Sequence, residues 1–528
     1  MSQAPAPTGR LATILARHWL LLAAIALAVG ARVAFWVGVG RVWEDALITL
    51  AAVENVFRGI GLTQHGGEGH VYSYTSALSV LVPLLSEAIH RGTGLAAMRV
   101  ASVLASVAAC TYAYLIARRL RFNPWATAFV LAYLAVDWNQ VLYGMAGMET
   151  EIAVALALAS AYHLLAGHGA RLGFALGLAL LARPDLLLLI IPALVAVVLS
   201  SRWRALATAA MTAAVVAPWL VFTLVYYGTI VPGTISVKAT RYVSIPPFRG
   251  FDFTPQVAWV TANVPVNLLG ALQRFVPFYA DSAVVGAPLP FRVLALTAVG
   301  VVALAVVGVV AYRREAGWLA LAACCGLWLI YRVLFLPPFY YDWYVPPFAA
   351  LVVLLAAGGL TAMAPRAPAV AVALAVILVA GYAAPLVPLS VISERVQRDI
   401  EGQVRIPLAR YLAANVPKGQ PVISESAGYV GYYSGVKLYD YPGLTSPTSA
   451  RADARAPGQS SIAYLVDALR APWLVLRPFE VVEVRRYYPG TLALYHPIAE
   501  FDANVDLGWG GAEMSNIDER FVVLKRVR

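Results

Sequence analysis

Two adjacent carboxylates follow the first apolar stretch of the chain, in the segment Trp43-Glu44-Asp45-Ala46-Leu47-Ile48. Carboxylates beside a membrane are costly unless they are exposed, paired or functional. Asp45 could cap a helix over 46–58, where apolar residues recur at helical spacing, or it could act as a general base. The turn-rich loop that follows carries His65 and Tyr74 among several hydroxyl groups, a composition suited to binding a sugar.

A second acidic cluster, Met148-Glu149-Thr150-Glu151, begins another apolar stretch. Glu149 could be an ordinary acid of the first helical turn, which the helix dipole favours. Both acidic clusters are predicted to begin a helix on the same side of the membrane, which favours a single site to which both contribute. We predict that Glu149 belongs to this site.

Three basic residues could provide positive charge for an anionic ligand. Arg183 interrupts an apolar stretch in Ala182-Arg183-Pro184-Asp185, where it could form a structural pair with Asp185 or bind a phosphate. Lys238 and Arg241 follow another apolar stretch, and they could bind an anionic headgroup or simply contact lipid.

An aromatic segment over 339–347 contains Tyr341 and Asp342. Aromatic residues at this position are typical of the belt that membrane proteins form at the lipid–water interface. A belt does not explain the embedded Asp342, so we include Tyr341 and Asp342 among the candidate substrate-binding residues.

The composition indicates a membrane protein. Of 528 residues, 60% are hydrophobic and 13% are charged, whereas a soluble domain has about 45–50% and about 25%. Residues 391–528 hold 31 of the 67 charged residues, so the excess of positive charge lies almost entirely in the apolar part. We attribute it to membrane topology and predict no nucleic-acid partner.

Apolar stretches predict about eleven membrane spans. They lie at 19–40, 95–117, 124–142, 151–167, 172–182, 185–200, 205–226, 290–311, 316–336, 344–363 and 368–388. Pro184 would break one long helix into two short pieces or a tight hairpin. The segment 75–90 is short for a span, and we predict a helix at the outer interface.

Basic residues orient the predicted spans. With a cytoplasmic N-terminus in the plasma membrane, most arginines between successive spans lie on the cytoplasmic side. The external loops 41–94 and 227–289 and the segment 391–528 then lie on the periplasmic or extracellular side. We predict a catalytic membrane domain over 1–390 and a soluble α/β domain over 391–528, with strands at 421–424 and 472–476, a helical pattern around 404–414 and a turn-rich stretch over 426–446.

These segments, taken in order, resemble the motifs of GT-C glycosyltransferases, which are multi-spanning membrane enzymes. The similar segments are Glu44–Thr49 with Tyr74-Thr75-Ser76, Gly147–Thr150, Ala182–Asp185, Val231–Thr234 with Lys238, and Gly428–Gly435 with Asp440 and Gly443-Leu444-Thr445. They are most similar to the terminal arabinofuranosyltransferases of mycobacterial cell walls and their relatives. Gly233 stands where that subgroup usually has Asn.

The resemblance implies a GT-C-like helix bundle and an inverting transfer from a polyprenyl-phosphate-linked sugar to a glycan or lipid-linked acceptor. Asp45 matches the catalytic carboxylate and would be the general base, while Glu44 matches a second acid of the motif. The donor phosphate would contact Lys238, Arg183 and Arg241, and the long lipid of the donor would lie between spans. No cofactor is required, although some relatives hold a divalent cation at the position of Glu44 and Asp45.

Two other classes of protein stay open at this point. A lipid or sugar transporter also tolerates broken helices and intramembrane charge, but no internal repeat is evident and the long loops are predicted on one face only. A sugar-binding or scaffolding protein would use its outer domain, with Asp45 merely capping a helix.

Overall fold

The computed structural model describes residues 7–242, 254–273, 291–335, 342–456, 461–503 and 518–527. These residues form a large bundle of helices followed by a small domain that contains a sheet. The predicted fold class, a mainly helical membrane protein with an α/β domain after the bundle, is confirmed.

The bundle contains sixteen of the helices that the described residues form. They are α1 (Pro7–Gly38), α2 (Glu44–Phe57), α3 (Leu78–Ile89), α4 (Gly94–Arg119), α5 (Pro124–Val136), α6 (Trp138–Met145), α7 (Thr150–Ala166), α8 (Gly169–Ala182), α9 (Leu187–Ser200), α10 (Arg202–Tyr227), α11 (Gly233–Tyr242), α12 (Thr254–Gln273), α13 (Phe291–Ala311), α14 (Ala316–Phe335), α15 (Pro346–Met363) and α16 (Pro368–Ala383).

Every stretch predicted to span the membrane contains a helix, but the helices differ in length. Within the described ranges, six are long and apolar enough to cross a membrane, and a bent pair raises that number to seven. Five shorter apolar helices have 10–17 residues. Eleven spans is therefore more than the lengths of the helices support by themselves.

Two breaks in the bundle place polar residues among apolar helices. Helices α6 and α7 are bent by 118° across 146–149. Helices α8 and α9 have 14 residues each and are separated by a 3-10 turn at Pro184–Leu186, as Pro184 predicts. The segment 75–90, for which a helix was predicted, contains α3, which has 12 residues.

Close packing of small residues holds the bundle together. Helices α13 and α15 approach so closely that a Cβ atom on Gly308 or Gly359 would overlap a backbone carbonyl of the other helix. The buried rings of Trp328 and Phe348 stack with centroids 5.1 Å apart. Packing of this kind substitutes for the hydrophobic effect, which gives helices little attraction to one another in lipid.

The C-terminal part begins with helical turns and continues as an α/β domain. Helix α17 (Leu386–Arg395), a π-helical segment (Val396–Arg405) and α18 (Ile406–Asn415) come first. The remaining elements are β1 (Pro421–Ser424), α19 (Gly428–Ser434), β2 (Lys437–Asp440), α20 (Pro447–Asp453), α21 (Ile462–Leu469), β3 (Trp473–Leu476), α22 (Pro478–Tyr487), α23 (Pro489–Leu492), β4 (Tyr495–Asp502) and β5 (Arg520–Arg526).

The described strands form one mixed sheet in the order β2-β1-β3-β5-β4. Strand β1 pairs in parallel with β2 and β3, whereas β5 is antiparallel to both β3 and β4. Both strands predicted at 421–424 and 472–476 are present, as β1 and β3, and they are neighbours in the sheet. The turn-rich description of 426–446 is wrong in part, because this stretch contains α19 and β2; its glycines and hydroxyl residues obscured two short elements.

A buried ion pair joins two helices of the bundle. Arg32 of α1 donates to Glu151 of α7 at 2.8 Å, and both side chains are at most 1% exposed. Arg32 also donates to the carbonyls of Leu134 and Ala135 near the end of α5. Since a buried charge that loses its partner is strongly destabilising, this pair fixes the three helices relative to one another.

Replacing Glu151 by Ala is expected to destabilise the protein by about 3 kcal/mol or more, because Arg32 would stay buried without its counter-ion. Thermal unfolding in detergent measures the loss. The control is Glu394→Gln, which weakens the exposed pair with Arg398 and should change stability by less than about 0.5 kcal/mol. Equal melting temperatures for the two variants would contradict the role assigned to the buried pair.

Candidate functional site

A cavity of about 410 Å³ lies between the bundle and the C-terminal domain, and we call it the Asp45 cavity. Its polar lining includes Asp45, Thr49, Ser73, Tyr74, Thr75, Glu149, Arg183, Asp185 and Thr234, and Leu444 of the C-terminal domain also lines it. Each of the five segments on which the family resemblance depends contributes at least one of these residues. Residues that are up to 399 positions apart in the sequence thus surround one space.

Asp45 reaches the cavity from the first turn of α2. The capping interpretation is wrong, because the helix begins at Glu44, its N-cap is Trp43, and that residue makes no side-chain cap. The backbone of Trp43 donates to the carbonyl of Ala146 at 2.9 Å, which ties the start of α2 to the break before α7. Asp45 is half-buried, so its carboxylate is positioned by the helix while it lines an open space.

Glu149 lies at the N-cap position of α7 and is buried. Its carboxylate is 3.7 Å from the guanidinium of Arg183, and the charges of Asp45 and Asp185 act on it as well. The two acidic clusters therefore converge, which the sequence predicted from their positions at two helix starts. Gly147 makes the break possible: its φ is +90°, and a Cβ atom there would clash with Leu95.

Arg183 lies at the junction of α8 and α9 and is held on several sides. Its Nε and Nη2 atoms donate to the two oxygens of Asp185 at 3.0 and 3.2 Å, and Nη1 donates to the carbonyl of Trp343 at 2.8 Å. The guanidinium also lies 4.2 Å from the ring centroid of Tyr344. The predicted structural pair with Asp185 is present, and the same side chain lines the cavity.

The charges of the cavity are mostly negative. Among the described side chains that line it, three are carboxylates and one is a guanidinium. Because Glu149 and Asp185 both lie close to Arg183, this arginine brings no net positive charge to the cavity. An anionic ligand would need further cations.

Helix α11 starts at the wall of the cavity. Thr234 and Ile235 line the space, and the backbone of Gly233 donates to the carbonyl of Tyr72 at 2.9 Å. The predicted cations Lys238 and Arg241 lie on this helix, one and two turns farther on. Their side chains are outside the part of the chain that the structure describes.

Aromatic residues form another wall. Trp343, Tyr344 and Tyr331 line the cavity, and Tyr74 faces it from the loop before α3. The hydroxyl of Tyr74 lies 2.6 Å from that of Tyr227, and burial raises the pKa of Tyr74, so the phenol stays protonated. Asp342 is half-buried next to these aromatic residues but is not among those that line the space, and Tyr341 lies outside the described residues.

Glu44 points away from the cavity, although it is adjacent to Asp45. It accepts from the backbone of Gly428 at 2.7 Å and from Ser426 Oγ at 3.2 Å, and it pairs with Arg405. A Cβ atom on Gly428 would overlap the backbone of Glu44, so only glycine permits this approach. The contacts make Glu44 an anchor for the C-terminal domain.

The C-terminal domain reaches the cavity through the loop after β2. Asp440, at the end of that strand, is fully buried and accepts from the backbone of Leu444 at 2.6 Å and from the backbone and hydroxyl of Thr445 at 2.9 and 2.7 Å. These bonds fix the loop so that Leu444 lines the cavity. Asp440 therefore positions a wall residue rather than contacting the space itself.

His65 lies apart from the cavity. Its Nε2 atom is 3.4 Å from a carboxylate oxygen of Glu68, and both side chains are buried. Glu68 also accepts from the backbone of Thr448, so this loop packs against the C-terminal domain. His65 is not among the residues that line the Asp45 cavity.

A divalent cation at Glu44 and Asp45 does not fit the arrangement. Glu44 is occupied by Arg405 and the backbone of Gly428, and only Asp45 faces the cavity. Within the described ranges, no group of three or more His, Cys, Asp or Glu residues is arranged to hold a metal ion.

Several residues of the site were not among the predicted ones. Thr49, Thr234 and Leu444 lie in segments that resemble the family motifs, so the segments were recognised as functional although these three residues were not. Tyr331, on α14, gave no signal, because an isolated tyrosine in an apolar stretch is typical of a membrane helix.

Most of the chain is similar in fold to two solved structures. The archaeal oligosaccharyltransferase AglB from Archaeoglobus fulgidus, in complex with an inhibitory peptide and a dolichol-phosphate, has a TM-score of 0.56 at 12% identity, with 94% of this chain and 75% of that chain covered. ArnT from Cupriavidus metallidurans in the apo state has a TM-score of 0.52 at 14% identity, with 96% and 98% covered. The chain thus has a GT-C-like fold.

The other comparisons are less informative. The arabinofuranosyltransferase AftD from mycobacteria has a TM-score of 0.44 at 13% identity, with 96% of this chain and 40% of that chain covered, too low a score to support an argument. Residues 395–520 match the model of a domain of unknown function, DUF8728. No curated protein matches the sequence.

Replacing Glu44 by Ala is expected to weaken the attachment of the C-terminal domain to the bundle. Arg405 would lose one counter-ion, and the backbone amide of Gly428 would lose its hydrogen-bond acceptor. We expect a loss of about 2 kcal/mol in stability, as for a charged hydrogen bond, and faster limited proteolysis of the domain. The matched control is Asp45→Asn in the next position, which should change stability by less than about 1 kcal/mol. Equal proteolysis of the two variants would contradict the assignment of Glu44 as an anchor.

Proposed function

We propose that the protein is a membrane glycosyltransferase that moves a sugar from a polyprenyl-phosphate donor to a hydroxyl group of a cell-envelope glycan or lipid-linked acceptor. The observation that carries the proposal is the convergence of five separated segments, with Asp45 and Arg183 among them, on the Asp45 cavity. The fold supports it, since AglB and ArnT have the same architecture and the AglB structure holds a dolichol-phosphate.

In the proposed reaction, Asp45 accepts the proton of the acceptor hydroxyl. The acceptor oxygen forms a bond to the anomeric carbon of the sugar, while the bond between that carbon and the phosphate oxygen breaks. The electron pair leaves with the polyprenyl phosphate. A single displacement of this kind inverts the anomeric configuration, and it needs only one protein base because the phosphate is already a good leaving group.

The cavity is suited to a sugar in its composition. Hydroxyl side chains from three elements, Thr49, Thr75 and Thr234, line it together with the rings of Trp343 and Tyr344. Hydroxyl groups exchange hydrogen bonds with sugar hydroxyls, and aromatic faces cover the apolar face of the ring. Arabinofuranose is the sugar that the motif resemblance favours, and we propose it as the first donor to test.

The donor phosphate is proposed to lie at the start of α11. Because Arg183 is balanced by two carboxylates, the additional positive charge would come from Lys238, with Arg241 one turn farther on the same helix. Phosphate binding by charged hydrogen bonds would offset the repulsion from the acidic side of the cavity. The lipid of the donor would lie between membrane helices, and we propose that the cavity faces the outer side of the plasma membrane.

Asp45→Asn is expected to reduce transfer at least about 100-fold, because the amide keeps the shape of the side chain but cannot take the proton. The measurement is transfer from a synthetic polyprenyl-phosphate arabinofuranose by purified protein in lipid, with donor binding measured in parallel. The control is Glu54→Gln, a carboxylate on the same helix that does not line the cavity. Wild-type transfer by the Asn variant would exclude Asp45 as the base.

Passage of the donor across sealed vesicles without any product would favour a transporter instead.

Lys238→Ala is expected to weaken donor binding about tenfold or more, as the loss of a charged hydrogen bond does. Arg183→Lys is expected to weaken donor binding as well, because it releases Asp185 and loosens the wall of the cavity at the junction of α8 and α9. The lysine at 183 keeps the charge but cannot make the two parallel bonds to Asp185. Donor affinity is measured by titration with the polyprenyl-phosphate sugar, and Lys418→Ala, an exposed lysine before β1, is the control. Unchanged affinity in both variants would move the phosphate site elsewhere.

A further inference from the structure

A second cavity lies among the membrane helices, between α4, α7, α8 and α10, and we call it the alanine slot. Its volume is about 360 Å³, and its lining is almost entirely apolar. The slot exists because several of the side chains that line it are small: Ala108, Ala155, Ala159, Ala170 and Ala175.

The slot is open toward the lipid side of the bundle. Phe174 and Met211, which line it, are 52% and 36% exposed. Helix α10, which forms one side, has only 17% of its apolar window buried within the protein. An apolar hollow on such a surface is filled by a lipid chain or by another apolar group, since neither water nor a void is favourable there.

Arg171 gives one end of the otherwise apolar slot a basic group. Tyr112, His163 and Arg171 line it together with the apolar residues. The ring of His163 lies 5.8 Å from that of Tyr112, and its Nδ1 atom lies 3.2 Å from Nδ1 of His168. A ligand that fits the whole slot therefore has an apolar chain and an anionic group.

This basic end lies at the opposite end of the bundle from the Asp45 cavity. Helix α7 has Glu149 at its start and His163 near its end, a separation of about 21 Å at 1.5 Å per residue. Helix α8 runs back from Gly169, near Arg171, to Arg183 at the cavity. A donor whose phosphate is in the Asp45 cavity cannot place the same phosphate at the alanine slot.

A neighbouring pocket extends the positive charge. It has a volume of about 220 Å³, shares His163 with the slot, and is lined by Arg119, Arg204 and His168, with Glu315 as its carboxylate. The region around the polar end of the slot thus has more basic than acidic groups. Positive charge beside an apolar slot favours an anionic lipid over a zwitterionic one.

We propose that the alanine slot binds an anionic glycerophospholipid, with one acyl chain between the alanines and the phosphate beside Arg171 and His163. The site is separate from the proposed reaction, because it lies at the other end of α7 and α8. Its occupant fills the hollow between α4, α7 and α8, so it also stabilises the helices that carry Glu149 and Arg183.

The test compares lipid retention by native mass spectrometry of the full-length protein, purified in detergent with phosphatidylglycerol or phosphatidylcholine of identical chains. We expect retention of phosphatidylglycerol to exceed that of phosphatidylcholine. Arg171→Gln should reduce it about fivefold, whereas the control Arg202→Gln should not, since Arg202 lies at the same end of the bundle but lines neither the slot nor the neighbouring pocket. Leu156→Trp, which places a large ring at the slot, should reduce retention of both lipids.

Several results would overturn the proposal. Equal retention of the two lipids, or equal loss in the Arg171 and Arg202 variants, would exclude a specific anionic site. Displacement of the lipid by inorganic phosphate alone would show that the acyl chain is not part of the ligand. Preferential retention of undecaprenyl phosphate would assign the slot to a polyprenyl lipid, and a dimer that dissociates in Leu156→Trp would assign it to a second copy of the chain. If Leu156→Trp does not fold, the comparison of Arg171→Gln with Arg202→Gln decides by itself.

Discussion

The contact between Glu44 and Arg405 is the interaction on which the architecture of the site depends. Successive residues of a helix point about 100° apart, so the first turn of α2 can direct Glu44 to the C-terminal domain and Asp45 to the cavity. The same few residues therefore attach the domain and position the candidate base. Arg405 is itself buried and also pairs with Glu401, which accepts from Arg41 just before α2. A displacement of the domain would move this end of α2 and the carboxylate with it.

Arg183 illustrates how the bundle holds a buried charge. The free-energy cost of burying a guanidinium without partners would be prohibitive. The guanidinium of Arg183 is instead surrounded by two carboxylates, a backbone carbonyl and an aromatic face. The arrangement fixes the junction of α8 and α9 against the segment before α15. It also means that the rigid part of the cavity has negative charge in excess, so recognition of an anionic donor would depend on α11.

The sequence predicted the parts of the site that have a local signature. Asp45, Glu149 and Arg183 are polar residues at the ends of apolar stretches, and such residues are rare enough to be noticed individually; the structure places all three at one cavity. The confirmed fold class and the positions of β1 and β3 follow in the same way from apolar patterns. The partner of Glu44 could not be predicted, because Arg405 is 361 positions away and nothing local indicates the pairing. Asp45 was also a plausible helix cap until the start of α2 was known, since one or two residues at a helix end are the least predictable feature of a pattern.

The position of Leu444 in the chain has a consequence for how the protein is made. Leu444 is a wall of the Asp45 cavity, and Arg405 is needed to dock the domain that carries it. Translation proceeds from the N-terminus, so about three-quarters of the 528 residues precede Arg405 and about five-sixths precede Leu444. Insertion of the helices alone therefore leaves the cavity without one of its walls, and chains that stop before Leu444 lack that wall.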